Sequence, residues 1–287
     1  MKIAILLNYV NYRQTVACCD NLLISGMDEV VIVDNASNNG SYQFLKDKYG
    51  VSESVHVIKS KKNFGYAQGN NIGLKYAESR FQLHEQNSIF IVNPDVVVSE
   101  KTINYLDNFV MRTPNAGAVT ALINGTVNSA WHHMTPLSSF IYNSWILKWI
   151  LLKMGFREGS FYRESSNEDA FIPVDVVTGA FFCIKQSVFK KIGYFDSGTF
   201  LYYEEEALYC RLLDDDFQNY LLNCVNFEHV GRGSTSLKKL SFKKINDYSR
   251  LYVVSKYYNA GSFYKRMYHV VNAVDNFILI LLRRVSS

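Results

Sequence analysis

The sequence predicts an α/β fold in which a mostly parallel sheet is flanked by helices. Up to about residue 120, short runs rich in β-branched residues alternate with longer stretches whose apolar residues recur at helical spacing. The composition, with 48% hydrophobic and 20% charged residues, is that of a globular chain with a core and excludes general disorder. The 287 residues can hold one large domain with an appendage or two small domains.

Four predicted strands and four predicted helices follow one another in this first part of the chain. They are the strands Ile3–Leu7, Glu29–Val33, Val55–Ile58 and Ile89–Val92, and the helices Thr15–Ile24, Tyr42–Tyr49, Gln68–Ala77 and Lys101–Met111. Strands connected through helices run parallel, and ligands of such sheets bind at the carboxyl ends of the strands. Polar residues occupy these ends, namely Asn8, Asp34-Asn35, Asn63 and Asn93-Pro94-Asp95.

The alternation stops between residues 124 and 172, which we interpret as an insertion. This stretch contains Trp131-His132-His133 and an aromatic, apolar run from Phe140 to Trp149. Its partner is an acceptor molecule, another subunit or a membrane. Regular structure is predicted to resume with the strands Val174–Val177 and Ala180–Ile184, a helix that begins near Tyr203, and the strand Tyr220–Val225.

The last 51 residues form a basic tail. Residues 237–287 contain ten basic and two acidic residues, so this tail carries +8 while residues 1–236 carry −4. Its apolar stretch Val270–Leu282 is shorter than the roughly 20 residues that a membrane-spanning helix needs. Basic flanks indicate a helix that lies in a membrane interface, and packing on the body or on another subunit is the alternative.

The five cysteines show no metal-binding or redox spacing, which is typical of reduced thiols in the cytosol. The apolar run at the N-terminus is too short for a signal peptide and has the length of a first strand. We therefore expect a cytoplasmic protein, located at the inner face of the cell membrane if the tail binds lipid.

Two strand ends are candidates for binding a nucleotide. Asp34 can accept hydrogen bonds from a base or ribose, although Asp-Asn followed by Ser is also ordinary turn chemistry. The segment Asn63–Gly73 carries three glycines between a strand and a helix, which permits close approach of a ligand to the backbone. Packing of the helix is the alternative explanation for these glycines.

Three further features are candidates for metal binding or acid–base chemistry. Asp95, at a strand end, is suited to coordinate a hard divalent cation, and His229 in a glycine-rich loop can supply an imidazole ligand. Glu204, Glu205 and Glu206 begin a predicted helix, where acidic residues can also simply complement the helix dipole.

The order of these features resembles family 2 glycosyltransferases with the GT-A fold, the nucleotide-diphospho-sugar transferase fold, and in particular their bacterial rhamnosyltransferase-like branch. The resemblance spans residues 2 to about 236. The matching motifs are Asn8-Tyr9, Val33–Ser37, Asn63–Gly73, Asn93–Asp95, Gly179-Ala180, Gly193–Asp196, the helix start at Phe200–Ala207, and His229 before a Gly/Ser loop.

The resemblance implies a role for each matching position. Asp34 contacts the nucleobase or ribose of the donor, and other residues at the strand ends help to line that pocket. Those residues are Asn8, Asn63, Gly69, Asn93 and Asp95. Asp95 and His229 hold Mn²⁺ or Mg²⁺ on the donor diphosphate, and Gly179-Ala180 border the acceptor. Glu205 is the catalytic base, with Glu204 preceding it.

Two positions depart from the family pattern. Ala207 stands where the family has a second Asp, and Glu205 stands where it has an Asp as the base. Because Glu is one methylene longer, its reacting oxygen is displaced unless the backbone compensates. Glu204 and Glu206 therefore remain alternative bases.

The function implied is inverting, metal-dependent transfer of a sugar from a dTDP- or UDP-sugar to an acceptor hydroxyl in cell-surface polysaccharide biosynthesis. The partners are a saccharide or lipid-linked saccharide acceptor, and a membrane surface or a second copy of the chain in a homo-oligomer, with no nucleic acid. Residues 1–236 would form the GT-A domain and residues 237–287 a helical appendage. The alternatives are a sugar nucleotidyltransferase, disfavoured because Asn8–Arg13 has no glycine-rich basic loop, and a non-catalytic binding subunit.

Overall fold

The computed structural model describes residues 1–82, 85–155, 162, 170–231 and 240–285. The strands are β1 (Lys2–Asn8), β2 (Glu29–Asp34), β3 (Val55–Lys59), β4 (Ser88–Val92), β5 (Val96–Val98), β6 (Ala116–Ile123), β7 (Ala130–Trp131), β8 (Phe171–Val174), β9 (Val176–Val177), β10 (Phe181–Lys185) and β11 (Gln218–His229). The helices are α1 (Tyr12–Ile24), α2 (Ser41–Tyr49), α3 (Gly65–Phe81), α4 (Glu100–Arg112), α5 (Pro136–Asn143), α6 (Trp145–Lys153), α7 (Gln186–Lys191), α8 (Glu204–Asp214), α9 (Leu240–Tyr257) and α10 (Ser262–Val285).

The described strands form a large sheet in the order β3-β2-β1-β4-β10-β6-β11-β5, with β8 pairing to β11, and a small sheet of β7 and β9. β1 pairs in parallel with β2 and β4, and β11 pairs in parallel with β6. β10 is antiparallel to both β4 and β6, so β6 and β11 run in the same direction as β1. The predicted α/β fold with a mostly parallel sheet is confirmed.

This topology brings several chain segments to one edge of the sheet. The carboxyl ends of β1, β2, β4 and β11 lie there, together with the amino end of the antiparallel strand β10. The loops that follow or precede these ends carry the residues singled out in the sequence. The sheet direction therefore gathers positions that are far apart along the chain.

The core occupies both faces of the sheet because alternate residues of each strand point to opposite sides. In β1, Ala4 and Leu6 belong to the apolar cluster that α1 and α4 cover. Ile3 and Ile5 belong to the cluster on the other face, which includes buried residues of α3, α7 and α8. The strands between these layers therefore read as continuous apolar runs rather than alternating ones.

The predicted elements up to residue 120 are all present, and the departures lie mainly in the second half. The single predicted strand Val174–Val177 is two strands, because β8 pairs with β11 whereas β9 pairs with β7. β11 is longer than the predicted Tyr220–Val225, since it pairs with β8, β6 and β5 along its length. Strands β5 and β6 were not predicted.

The predicted insertion contains α5 and α6, while residues 156–161 and 163–169 of it lie outside the described residues. The predicted helical tail consists of α9 and α10, with residues 232–239 also outside the described part. Tyr268 of α10 donates hydrogen bonds to Asn143 Oδ1 (2.7 Å) and to the carbonyl oxygen of Asp247 in α9 (2.9 Å). Among the described helices, none combines the length and apolarity required to cross a bilayer.

Candidate active site

The ends of β1 and β2 are joined through their polar side chains. Asn8 and Asp34 are partners in the parallel register, and Asn8 Nδ2 donates to Asp34 Oδ2 at 2.6 Å. Thr15 Oγ1 donates to Asn8 Oδ1 (2.7 Å), and the backbone N–H of Ser37 donates to Asp34 Oδ1 (3.0 Å). Asp34 is fully buried. Both of its carboxylate oxygens are thus engaged by protein partners.

Asn63 and the loop before α3 are organised by Asn35. Asn35 Nδ2 donates to Asn63 Oδ1 and to the carbonyl of Gly65, both at 3.0 Å, and its Oδ1 accepts from the N–H of Phe64 (3.1 Å). Gly65 has a φ of +79°, and a Cβ atom there would lie 1.9 Å from the carbonyl oxygen of Phe200. Only glycine fits this contact, which joins the start of α3 to the chain ahead of α8.

Gly69, predicted to bind the donor, lies on the face of α3 that packs against the sheet. A Cβ atom at this position would lie 2.7 Å from Leu7 Cδ1 and 3.2 Å from Asn35 Nδ2. Gly73, one turn later, is equally close to Ile5 and Val33. These contacts match the alternative explanation, in which the glycines allow close packing of the helix on β1 and β2.

Asp95 and His229 form a pair at the same edge of the sheet. β5 and β11 pair antiparallel with Val96 opposite His229, and the N–H of Val230 donates to the carbonyl of Asp95 (3.0 Å). His229 Nε2 lies 3.1 Å from Asp95 Oδ1. This hydrogen bond to the carboxylate raises the pKa of His229 above its ordinary value, against the effect of partial burial. In the described part of the chain, no third His, Cys, Asp or Glu joins a metal-binding cluster.

Asn93 connects the end of β4 to the start of β10. Its backbone N–H donates to the carbonyl of Ala180 at 2.8 Å, which fixes Gly179-Ala180 beside the strand end. Ala180 itself is buried. Gly179 is buried as well, but of the two predicted acceptor-side residues it is the one that lines the cavity described below.

The three glutamates follow an unusual stretch of backbone. Tyr202 and Tyr203 both have positive φ angles, 76° and 68°, immediately before α8 begins at Glu204. Two consecutive non-glycine residues in this region are costly and persist only where surrounding contacts impose them. Here Arg250 of α9 supplies such a contact, since its Nε donates to Tyr203 Oη at 2.7 Å.

Glu205 reaches the segment before β10. Its Oε1 accepts from the backbone N–H of Gly179 at 3.2 Å, and a Cβ atom on Gly179 would lie 2.5 Å from this oxygen. Tyr66 Oη donates to the carbonyl of Gly179 (2.6 Å), so Gly179 is held through both its backbone N–H and its carbonyl. Burial raises the pKa of the Glu205 carboxyl.

The neighbouring glutamates have different partners. Glu204 is buried and its Oε1 accepts from Thr199 Oγ1 (3.1 Å); burial and then the charge of Glu205 raise its pKa to about 8. Glu206 Oε1 accepts from the N–H of Met134 (2.7 Å) and from Tyr258 Oη (2.5 Å). One oxygen of Glu206 is therefore occupied by the insertion and by the tail.

A cavity of about 680 Å³ opens beside these carboxylates. It is lined by Tyr66, Asn93, Trp131, His132, His133, Met134, Ser138, Ser139, Tyr142, Gly179, Leu201, Tyr202, Tyr203, Glu204, Glu205, Glu206, Asn246 and Arg250. The predicted residues Asn8, Asp34, Asn63, Asp95 and His229 lie at the same edge of the sheet but not in this lining. The site thus has a polar part at the strand ends and a cavity whose aromatic residues come from the insertion, α3 and the segment before α8, with Asn246 and Arg250 from the tail.

Several residues of the site carried no predicted role, and three of them organise its backbone. Tyr66 lies within the Asn63–Gly73 segment, Asn35 follows Asp34, and Arg250 lies in the basic tail. Asn35 and Tyr66 lie inside the motifs Val33–Ser37 and Asn63–Gly73, so their position in the sequence could have identified them. Nothing in the sequence pointed to Arg250, because its place depends on α9 folding back onto α5, where it also donates to the carbonyl of Ser139 (3.0 Å).

The strand order, the flanking helices and the polar edge are those of the GT-A fold. Of the solved structures, GalNAc-T7 with UDP, GalNAc and Mn²⁺ aligns with a TM-score of 0.65 at 12% identity, covering 89% of this chain and 47% of that one. At this level of identity the likeness concerns the fold alone. The GT-A prediction is confirmed.

The chain belongs to glycosyl transferase family 2, whose family model matches residues 12–193. Hexosyltransferase Agl10 of low-salt glycan biosynthesis in Haloferax volcanii is 27% identical over 182 residues, or 63% of this chain and 52% of the relative. The N-acetylglucosaminyl-diphospho-decaprenol L-rhamnosyltransferase of Mycobacterium tuberculosis is 25% identical over 189 residues, or 64% and 60%. The matches therefore span between half and three fifths of these relatives. The resemblance to family 2 and its rhamnosyltransferase-like branch is confirmed.

Proposed function

We propose that this protein transfers a sugar from a nucleotide-diphosphate donor to a hydroxyl group of an acceptor, with Glu205 as the general base. One observation carries the proposal. The Glu205 carboxylate lies in a cavity between the polar strand ends and the aromatic insertion, attached to the Gly179 peptide by a 3.2 Å hydrogen bond. At this position the Glu205 carboxylate can accept a proton from an acceptor in the cavity while the donor occupies the strand ends.

The proposed step is a single displacement. The acceptor hydroxyl attacks the anomeric carbon, Glu205 accepts the hydroxyl proton, and the nucleoside diphosphate leaves from the opposite face of the sugar, which inverts the anomeric configuration. Burial supports this role, because a carboxylate with a raised pKa holds a proton more strongly than one in water. Glu204 and Glu206 are less suited, since Glu204 is buried against Thr199 and Glu206 is bonded to Met134 and Tyr258.

Asp95 and His229 fit a divalent cation as two of its ligands. A carboxylate oxygen and an imidazole nitrogen 3.1 Å apart are donors that Mn²⁺ accepts readily, while Mg²⁺ prefers an all-oxygen set. Two protein ligands leave positions for diphosphate oxygens and water. When bound, such an ion stabilises the charge that develops on the leaving diphosphate.

The first test replaces Glu205 by Gln, which keeps the shape of the side chain and removes the base. We expect turnover of a dTDP- or UDP-sugar to fall by about 10²–10⁴-fold, the usual contribution of a general base. Donor binding, followed by the rise in melting temperature on adding the donor, should persist. Glu204→Gln is the matched control and should retain turnover. Near-normal turnover in Glu205→Gln would remove Glu205 from the mechanism.

The second test concerns the metal. Chelation with EDTA should abolish transfer, and Mn²⁺ or Mg²⁺ should restore it. In Asp95→Asn and His229→Ala, the extra thermal stabilisation that Mn²⁺ gives to the donor complex should disappear, which is a readout independent of turnover. Full activity in chelator, or an unchanged Mn²⁺ effect in both variants, would contradict the assignment.

We also propose that the protein works on a lipid-linked acceptor at an anionic membrane surface. The observation that supports this is the inverted polarity of α10, whose polar residues Asn272 and Asp275 are buried while Phe263, Val270 and Phe277 are exposed. A helix with an outward apolar stripe and basic neighbours is suited to lie in a membrane interface. The tail carries a net charge of +8, which complements anionic lipid.

A further inference from the structure

The Trp131-His132-His133 stretch lines the cavity and has no part in the chemistry proposed above. His133 is held by Asp175, which lies between β8 and β9. Asp175 Oδ2 accepts from the backbone N–H of His133 at 3.0 Å and lies 2.8 Å from His133 Nδ1. His132 Nδ1 lies 3.5 Å from the same oxygen. One carboxylate thus binds the backbone and the ring of His133 and adjoins a second imidazole.

The ring of His133 is also fixed by aromatic neighbours. It stacks on Tyr209 of α8, with ring centroids 5.4 Å apart and an angle of 20° between the ring planes. It also stacks on Tyr258, with ring centroids 6.2 Å apart and an angle of 6° between the planes. Yet the side chain remains 42% exposed. A histidine with a purely structural role would be expected to be covered, whereas this one is oriented and left open to the cavity.

The partner of Nδ1 determines what the rest of the ring offers. A carboxylate beside Nδ1 favours the tautomer with the proton on that nitrogen, so Nε2 keeps its lone pair. The other ring nitrogen is then an acceptor of a hydrogen bond from a ligand hydroxyl. Burial raises the pKa of Asp175, but its contacts with His133 outweigh burial and hold that pKa below the ordinary value. Asp175 therefore remains the acceptor in the pair.

His133 shares its surroundings with the proposed base. The next residue, Met134, donates its N–H to Glu206, which adjoins Glu205 in α8. Glu205 and Glu206 line this side of the cavity, and Asp175 lies beside His133. Aromatic faces from Trp131, Tyr202 and Tyr203 complete the lining. Aromatic faces with a few oriented polar groups suit an uncharged sugar ring, and the cavity volume of about 680 Å³ is ordinary for a small-molecule site.

We propose that His133, oriented by Asp175, is a specificity-determining residue that binds a hydroxyl of the acceptor's terminal sugar. The inference rests on the proposed transferase function and names the part of the cavity that selects the acceptor. Glu205 receives the proton of the attacking hydroxyl, and His133 accepts a hydrogen bond from a second hydroxyl of the same ring. Asp175 acts through His133 and is a positioning residue.

The test measures binding of simple acceptor probes to the intact protein. A panel of p-nitrophenyl glycosides (glucoside, galactoside, N-acetylglucosaminide and rhamnoside) is titrated and followed by saturation-transfer NMR. We expect at least one glycoside to bind, and His133→Ala to weaken that binding at least tenfold. His133→Gln, which can present an acceptor oxygen near the position of Nε2, should recover part of the affinity. Asp175→Asn should weaken binding less than His133→Ala, because it leaves the ring in place but no longer fixes its tautomer.

Donor hydrolysis without acceptor, measured on the same preparations, separates the two proposals. We expect this rate to stay within twofold of wild type in His133→Ala, since the proposal gives His133 a role toward the acceptor and none toward the donor. Unchanged glycoside affinity in His133→Ala, or a wild-type protein that binds no member of the panel, would overturn the inference while leaving donor turnover intact. A wild-type protein that neither hydrolyses nor transfers any donor sugar would instead overturn the proposed function.

Discussion

At the scale of single residues, the central feature is a pair of adjacent carboxylates with different environments. The amino end of α8 would by itself favour ionised glutamates, since the helix dipole stabilises negative charge there. Burial outweighs this effect, and the charge of Glu205 adds to it at Glu204, whose pKa is raised to about 8. Burial raises the pKa of the Glu205 carboxyl as well, so both neighbours hold a proton more strongly than exposed glutamates do.

The raised pKa of Glu204 predicts a specific dependence of stability on pH. Between about pH 4.5 and 8 the unfolded chain has lost this proton while the folded protein keeps it, so Glu204 makes the free energy of unfolding fall as the pH rises through this range. Glu204→Gln removes the titration. The stability of Glu204→Gln relative to wild type should therefore increase from pH 5 to pH 8, and its relative melting temperature should rise with it. The difference in the free energy of unfolding changes by about 1.4 kcal/mol for each unit of the pKa shift.

Differential scanning fluorimetry in matched buffers can measure this difference. Glu206→Gln is a poor comparison, because it would also disturb the hydrogen bonds from Met134 and Tyr258. Glu53→Gln, at an exposed loop position, is the better control and should show a flat difference from wild type. A stability difference for Glu204→Gln that does not change with pH would show that the folded state does not hold this proton.

The sequence identified the three glutamates but could not rank them. Their ranking depends on Thr199, Gly179, Met134 and Tyr258, which contact them from four separate segments. Of these, Met134 and Tyr258 belong to the insertion and the tail, where no family motif guided the prediction. Residue types and local spacing predict that a carboxylate is present; the packing of distant segments decides which one is available.

At the scale of elements, the loop before α3 depends on one glycine. Gly65 has a φ of +79°, and a Cβ atom at this position would lie only 1.9 Å from the Phe200 carbonyl oxygen. The adjoining N–H of Tyr66 donates to that same oxygen at 2.8 Å. Gly65→Ala should therefore separate α3 from the chain before α8, with loss of both stability and transfer activity.

The size of this effect can be isolated by two other glycines. Gly40 has a φ of +80° but nothing within 4 Å of its would-be Cβ, so Gly40→Ala should cost only the conformational strain of about 1–2 kcal/mol. Gly261 has neither feature, so Gly261→Ala should be close to neutral. We expect Gly65→Ala to lower the free energy of unfolding by clearly more than Gly40→Ala in urea titrations. Equal losses would mean that the contact with Phe200 has no energetic weight.

The prediction of strands and helices succeeded where the two alternate along the chain. It failed where the pairing partner determines whether a segment forms a strand and where that strand ends. β5 has only three residues, and β6 is rich in Ala and Gly, so neither has a strong strand pattern. The break between β8 and β9 at Asp175 separates strands of two different sheets, which no local pattern reveals. That break is also what brings Asp175 to His133.

At the scale of the whole molecule, the tail is part of the site. Ser249 Oγ donates to the carbonyl of Leu201 (2.9 Å), Arg250 bonds Tyr203, and Tyr258 bonds Glu206. All three contacts reach the short segment that carries the carboxylates. The sequence predicted a helical tail from its composition and charge, but its role in shaping the cavity follows only from the way α9 folds back.

The outer face of α10 leads to the prediction for the membrane proposal. Phe263, Val270 and Phe277 follow the seven-residue spacing of one helix face, and the side chains of Phe263 and Phe277 are 79% and 62% exposed. Wild-type protein should therefore co-sediment with vesicles that contain anionic phosphatidylglycerol, and more weakly at high salt. The triple change of these residues to Ser should reduce the bound fraction at least tenfold, because each removes apolar surface from the interface.

The control for this experiment must expose equally apolar surface elsewhere. Val51 and Ile24 are 98% and 83% exposed and lie outside the tail, so Val51→Ser with Ile24→Ser should leave vesicle binding unchanged. Sedimentation velocity without lipid tests the competing occupant of the stripe, a second copy of the chain. If wild type is a dimer that the triple variant dissociates, and vesicles bind neither form, the apolar face of α10 belongs to a subunit interface. Because α10 is bonded to α9, and α9 to the segment before α8, either occupant would lie on the side of the molecule where α9 adjoins the cavity.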